Sequence, residues 1–215
     1  MNLNTIPYSR YEKELPQKGR HILGQLRGSN IIVYQAFNPQ ICDYAVQYQR
    51  FGGPAYSFSR MSWIKPNFLW MMYRAGWASK PNQERILAIE IGLDKFEIIL
   101  EQAVYSSFQP DIYSTHDAWQ QALEQSEVRL QWDPDHNPAG PKLARRAIQL
   151  GMKGDILQSF ATDWIVSIED ITPFVLEQGE FVKKGALDRL TVIEEVPVTI
   201  KRPAIIQKLK IGADL

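Results

Sequence analysis

Tyr56-Ser57-Phe58-Ser59-Arg60-Met61-Ser62-Trp63-Ile64-Lys65-Pro66-Asn67-Phe68-Leu69-Trp70-Met71-Met72-Tyr73-Arg74-Ala75-Gly76-Trp77 is the most informative stretch of this 215-residue chain. It carries three of the six tryptophans and three methionines, threaded with Arg60, Lys65 and Arg74. Pro66 suits a first helical position, where its missing N–H costs nothing. Gly76 suits the residue just past a helix end, where a left-handed backbone is cheap only for glycine. The spacing therefore predicts a short helix from about Pro66 to Arg74. Phe68, Leu69, Met71, Met72 and Tyr73 surround that helix with apolar bulk, so it is expected to be buried on most sides, with Trp70 against a sheet. A plain core helix explains the apolar residues. It does not explain three cations and three serines, because buried charge needs a partner and a bound anion is one kind of partner.

Working outward, His21 to Leu26 and Ile31 to Phe37 read as strands joined by the hairpin signal Arg27-Gly28-Ser29-Asn30. Asn38 and Pro39 read as cap and first residue of a helix, with Ile41, Tyr44, Ala45 and Tyr48 on one face. Gly52-Gly53-Pro54 closes that segment. On the other side, strands are expected over Arg85 to Ile91, Val128 to Trp132, Arg146 to Leu150 and Trp164 to Ile168. Helices are expected from Leu93, from a Ser114–Asp117 capping box, from an Asp155 cap to about Thr162, and from Thr172-Pro173 to Gly179 or Gly185. Asp133 to Pro141, with three prolines, reads as a loop. Strands Val33–Ala36 and Trp164–Ile168 are expected to be central and adjacent. Residues 1–19 read as a mobile or surface-draped leader, residues 20–189 as the main domain, and residues 190–215 as extended strands or a tail. The whole is an α+β single domain with a mixed, mainly antiparallel split sheet flanked by helices.

Composition excludes several classes. Apolar residues make up 45% and charged residues 22%, ordinary for a globular protein, and the formal net charge is zero, so no global field recruits nucleic acid. Cys42 is the single cysteine, which excludes an internal disulfide and a cysteine-based zinc site. Its apolar neighbours suggest a buried thiol. His21, His116 and His136 are scattered, so no metal is expected. With no signal-peptide core and no membrane-length apolar run, a cytoplasmic location is expected.

Two resemblances add to this reading. The runs Val33-Tyr34-Gln35-Ala36, Trp63-Ile64-Lys65-Pro66, Gln131-Trp132-Asp133-Pro134 and Trp164-Ile165-Val166-Ser167-Ile168-Glu169-Asp170 resemble the domain of unknown function 4291 family, which implies no established activity. More distantly, three blocks in order resemble the ADP-ribosyltransferase superfamily: Val33 to Phe37 with Arg50 to Gly53, then Tyr56 to Ser59, then Asp163 to Pro173. That resemblance implies NAD as substrate, cleavage at the nicotinamide glycosidic bond, and transfer of ADP-ribose to a nucleic acid or protein. It implies Gln35 on the nicotinamide ribose and Asp163 at the closing carboxylate position, with Glu169 or Glu84 next in line. Tyr56 or Tyr73 would stack on nicotinamide, Arg60, Lys65 or Arg74 would hold the diphosphate, and Tyr34 and Ser57 join the cofactor-binding set. Gln35 stands where active transferases carry His or Arg, and Asp163 is one methylene short of glutamate. A non-catalytic nucleotide-binding module of the same fold is therefore the alternative, and an aromatic-rich RNA-binding domain is a third reading.

Overall fold

The computed structural model describes residues 2–213. The elements in chain order are β1 (Thr5–Pro7), α1 (Tyr8–Glu14), β2 (Gly19–Arg20), β3 (Leu23–Gly24), β4 (Leu26–Arg27), β5 (Asn30–Phe37), α2 (Pro39–Tyr48), β6 (Ser62–Ile64), α3 (Phe68–Ala75), β7 (Arg85–Gly92) and α4 (Leu93–Gln102). There follow β8 (Ala103–Tyr105), α5 (His116–Gln125), β9 (Val128–His136), β10 (Lys142–Met152), α6 (Gly154–Thr162), β11 (Ile165–Asp170), α7 (Thr172–Lys183), β12 (Thr191–Ile193), β13 (Val196–Pro197) and α8 (Pro203–Leu209). This is an α+β architecture with two principal sheets.

One sheet is antiparallel throughout, in the order β11-β7-β5-β4. The other runs β2-β10-β9-β8, with β6 also paired to β10; its β2–β10 and β8–β9 pairs are parallel. The sheets meet at one bridge, where Tyr34 N–H donates to Lys65 O at 2.7 Å and Lys65 N–H to Tyr34 O at 3.2 Å. Lys65 thus occupies part of the β5 edge that β4 leaves open.

The four-stranded sheet is covered on both faces, which is why its central strands read as nearly continuous apolar runs. Ile31 and Val33 of β5, with Leu87, Ile89 and Ile91 of β7, face a core shared with the second sheet and α4 and α6. Ile32 and Tyr34, with Ile86 and Ala88, face a second core built from α1, α3 and α7. Glu90 is one polar exception, Gln35 of β5 being another; Glu90 accepts from Arg27 Nη1 at 2.9 Å, Asn30 Nδ2 at 2.7 Å and Ser167 Oγ at 3.0 Å.

The local signals place most elements. Asn38 caps α2 through Ile41 N–H at 3.1 Å, and Gly28 turns the β4–β5 hairpin at φ +56°. Helix α3 is mostly buried, as its composition demands, and Gly76 ends it in the left-handed region. Pro66, however, precedes the helix, because Asn67 is the better cap: its Oδ1 accepts Trp70 N–H at 2.6 Å. Cys42 is fully buried, and burial pushes its thiol up to about 12.

Five expectations are corrected. Residues 5–14 are not a leader draped on the surface: β1 pairs antiparallel with β12, and Leu3, Ile6, Tyr8, Tyr11 and Leu15 are buried in the second core. The tail after Leu190 is not all extended, since Pro203 starts α8, which buries Ile205 and Leu209. Asp133 to His136 continue β9, because Pro134 lies beside a register shift in β10 between Lys142 and Arg146, where a missing N–H is tolerated. Strand β7 separates β5 from β11, so those two are not adjacent, and β11 is an edge strand. Finally, Asp155 does not cap α6; the Glu127 carboxylate does, accepting Asp155 N–H at 3.1 Å and Ile156 N–H at 2.9 Å.

Candidate functional site

A cleft of about 570 Å³ opens beside the C-terminal half of β5. Its walls come from Gln35 on β5, the start of α2, the Ala55–Met61 loop, β6 with Lys65, Met71 of α3 and the Asn82-Gln83 turn. Each wall is fixed by local chemistry. Strand alternation puts Gln35 on the same side as Ile31 and Val33, but one step past the point where that core closes. Trp63 can lie across β10 only because Gly151 stands opposite it: a Cβ there would come within 2.7 Å of the indole.

Four residues with polar side chains line this space. The Gln35 Nε2 donates to Ser62 Oγ at 2.8 Å and to Trp63 O at 3.1 Å. A carbonyl can only accept, so this pair fixes the amide orientation and leaves Oε1, which is buried without a hydrogen bond, as a free acceptor. The Tyr56 hydroxyl is likewise buried and unpartnered. Its ring is stacked on Phe51 at 5.1 Å and flanked edge-on by Phe37 and Phe58, so the hydroxyl rather than the ring face is left for a ligand. Burial pushes this phenol up from its ordinary value, against a smaller downward pull from the nearby Ser62 hydroxyl, with which it makes no hydrogen bond of ordinary geometry.

Lys65 is the third group and the least ordinary. It is 6% exposed, and among the described residues its amine has neither a hydrogen bond nor an ion pair. Burial first, and then the charge of Arg74, push it down to about 7, against a smaller upward pull from Asp133. Arg60, the fourth group, is exposed at the rim and also lacks an ion pair among the described residues. No Asp or Glu lines the cleft among the described residues. The N-terminal end of α2, at Asn38 and Ile41, adds the positive end of a helix dipole to the same wall.

The cleft thus gathers Gln35, Tyr56, Ser57, Arg60 and Lys65 from the sequence-derived set. It does not gather the others. Tyr34 points to the opposite face of the sheet, fully buried and edge-on to Phe68 at 5.7 Å. Tyr73 stacks on His136 with ring centroids 3.5 Å apart, outside the cleft lining. Arg74 is exposed and reaches the site only through its field on Lys65. Asp163 is exposed at the C-terminal cap of α6 and lines no wall. Glu169 and Glu84 line none either. Sequence reasoning passed over Asn38, Ser62, Asn82 and Gln83 as ligand-facing groups. Ser62 had a signal, being polar amid apolar residues on a short strand; the Asn82-Gln83 turn had none.

A second polar cluster lies across α3. Glu195 is buried and accepts from Phe68 N–H at 2.6 Å, Tyr11 OH at 2.6 Å and Asn67 Nδ2 at 3.0 Å. Burial raises its carboxyl to about 8 despite these donors. Beside it the Asp135–Arg145 pair is buried at 2.6 Å. These groups tie the chain's two ends to α3 and β9, and their hydrogen bonds are made within the protein.

The fold and site together define an α+β protein with a cation-lined cleft at the seam of its two sheets, in which no carboxylate stands among the described residues. The chain belongs to the family described as Domain of unknown function (DUF4291), whose model matches residues 21–199. No curated protein matches the chain. No helix among the described residues is long and apolar enough to cross a membrane.

Proposed function

We propose that the cleft binds an anionic, nucleotide-type ligand, with NAD as the first candidate. The observation that carries this reading is Lys65, a buried residue whose amine has no hydrogen bond or ion pair among the described residues, lining a cleft that also holds an unpaired Gln35 Oε1 and an unpaired Tyr56 hydroxyl. Buried polar groups in folded proteins are almost always paired, so two orphaned atoms beside a lysine that has no ion pair among the described residues mark the place of a missing partner. Arg60 and the α2 N-terminus favour negative charge in that partner. The volume suits a small ligand, since such sites usually enclose about 300–1,000 Å³.

NAD is preferred among nucleotides because the Val33–Phe37 and Tyr56–Ser59 blocks resemble the ADP-ribosyltransferase superfamily. In this reading Gln35 contacts a ribose, and Arg60 and Lys65 contact the diphosphate. Glycosidic cleavage asks for more, namely a carboxylate against the cationic sugar as the bond breaks. Among the described residues the cleft lining offers none, so binding without cleavage is the form of the proposal that the geometry supports best. NAD cleavage with ADP-ribose transfer to nucleic acid or protein is the second form, supported by the order of the three blocks.

Isothermal titration with NAD, ADP-ribose and ATP tests the first form, and nicotinamide release with RNA, DNA or lysate tests the second. The expectation is saturable binding that Arg60→Ala and Lys65→Met each weaken by roughly tenfold, the weight of one charge-assisted contact. Absence of binding by all three ligands refutes the proposal. Nicotinamide release by the wild type overturns the preference for binding alone.

A further inference from the structure

We propose that Lys65 is a nucleophile that condenses with the carbonyl carbon of an anionic aldehyde or ketone bound in the cleft, forming an imine. This rests on the reading of the cleft as an anion site and adds a chemical step to it. Two cations serve the cleft, and their surroundings assign them different work. Arg60 sits at the solvent rim and is permanently charged, which suits an anchoring contact to phosphate or carboxylate. Lys65 directly follows β6, bridges to β5 and is buried, and among the described residues no carboxylate lines the cleft beside it. A lysine that is desolvated and placed near another cation favours the neutral amine, the form that attacks carbonyls. The downward pull on Lys65, from burial and from Arg74, agrees with that geometry.

The backbone holds the amine in place. Lys65 is pinned on both its N–H and its C=O by Tyr34, so its stem leaves a strand rather than a mobile loop. The step balances without a further reagent. The amine lone pair attacks the carbonyl carbon, a C–N bond forms, and the carbonyl π electrons move to oxygen. A proton passes from nitrogen to that oxygen, giving a carbinolamine. The hydroxyl then departs as water with the remaining nitrogen proton, leaving the imine. Tyr56 OH, unpartnered on the same cleft, donates a hydrogen bond to the developing alkoxide. Gln35 Oε1 accepts from a ligand hydroxyl or N–H beside the reacting carbon.

The test uses the full chain with one equivalent of pyridoxal 5′-phosphate, then borohydride reduction, proteolysis and mass mapping of the modified lysine. Pyridoxal without phosphate is the parallel probe. The expected result is modification concentrated at Lys65, with the phosphorylated probe favoured by roughly tenfold. The labelling rate should rise with pH through about 7; the charged groups that act on Lys65 are Arg74 from α3 and Asp133 from β9, while Arg60 and Tyr56 line the same cleft. Lys65→Arg keeps the charge but cannot deprotonate, so it should lose the adduct while still binding the unreduced probe. Lys65→Met, checked for native circular dichroism, should lose the adduct as well.

Labelling spread over surface lysines and unchanged by Lys65→Arg overturns the inference. Binding of pyridoxal phosphate by calorimetry with no reducible adduct at Lys65 also overturns it, while sparing the anion-site reading. Equal labelling of Lys65 by pyridoxal and its phosphate upholds the nucleophile and counts against the anion site.

Discussion

Lys65→Met should stabilise the protein while impairing the cleft. Methionine has a stem of similar reach, and the side chain would lie near Met71 and Met61 on the same cleft. The magnitude follows from the amine. Its value falls from 10.5 unfolded to about 7 folded, so the unfolded chain binds more protons in between. Stability therefore rises with pH from about 7 toward 10.5, and the penalty of burying this group is fully present below about 7. At about 1.36 kcal/mol per unit, that penalty has a ceiling of about 5 kcal/mol; relaxation and water in the open cleft reduce it, so a gain of about 2–4 kcal/mol is expected for Lys65→Met at pH 6. At pH 9 the gain should fall by about half, because the wild-type amine is then neutral when folded. Urea unfolding of wild type and variant at both pH values measures this directly. A variant no more stable than wild type at pH 6, or a difference that ignores pH, refutes the account of Lys65 as a buried, unpartnered amine.

Three further substitutions probe the frame around the cleft. Trp70→Ala should cost about 3–5 kcal/mol by urea unfolding, because the indole is 4% exposed and stacks on His136 at 5.3 Å; an unchanged midpoint would contradict its place in the core. Glu195→Ala strands three donors at the junction of α1, α3 and β13, so it should cost about 3 kcal/mol or more and speed proteolysis near residue 14; a loss within about 0.5 kcal/mol would mean the network is not closed. Asp163→Asn should leave both stability and nucleotide affinity at wild-type values, since the residue is exposed and outside the cleft; a sharp loss of ligand binding would return Asp163 to the site.

Much of the local architecture was legible because it is written in short-range chemistry. Asn38-Pro39, Gly28 and Gly76 each specify a backbone state that few residues accept, and the structure uses each as such. The apolar runs of β5 and β7 marked them as strands, and the structure buries both of their faces. What was not legible depends on distant partners. Whether Thr5–Pro7 is a leader or a strand is decided by Thr191–Ile193, nearly a chain length away. Pro134 looks like a strand breaker until the irregular pairing of β10 beside it is known. The adjacency of β5 to β7 rather than β11 leaves no trace in either strand's own residues.

The site divides the same way. Gln35, Tyr56, Ser57, Arg60 and Lys65 come from two nearby segments whose polar residues stood out against apolar neighbours, and one cleft gathers them. Tyr34 and Tyr73 fell out because alternation and helical phase turned them to other surroundings. Asp163 fell out because the end of α6 does not reach the β5–β6 seam.

The central claim is that the seam between the sheets, at Lys65, Gln35 and Tyr56, receives an anionic ligand. A crystal structure of the protein soaked with ADP-ribose tests it most directly. The account predicts diphosphate density between Arg60 and Lys65, with a ribose hydroxyl in hydrogen-bond reach of Gln35 Oε1. An empty cleft at saturating ligand, or density bound elsewhere on the surface, would contradict it.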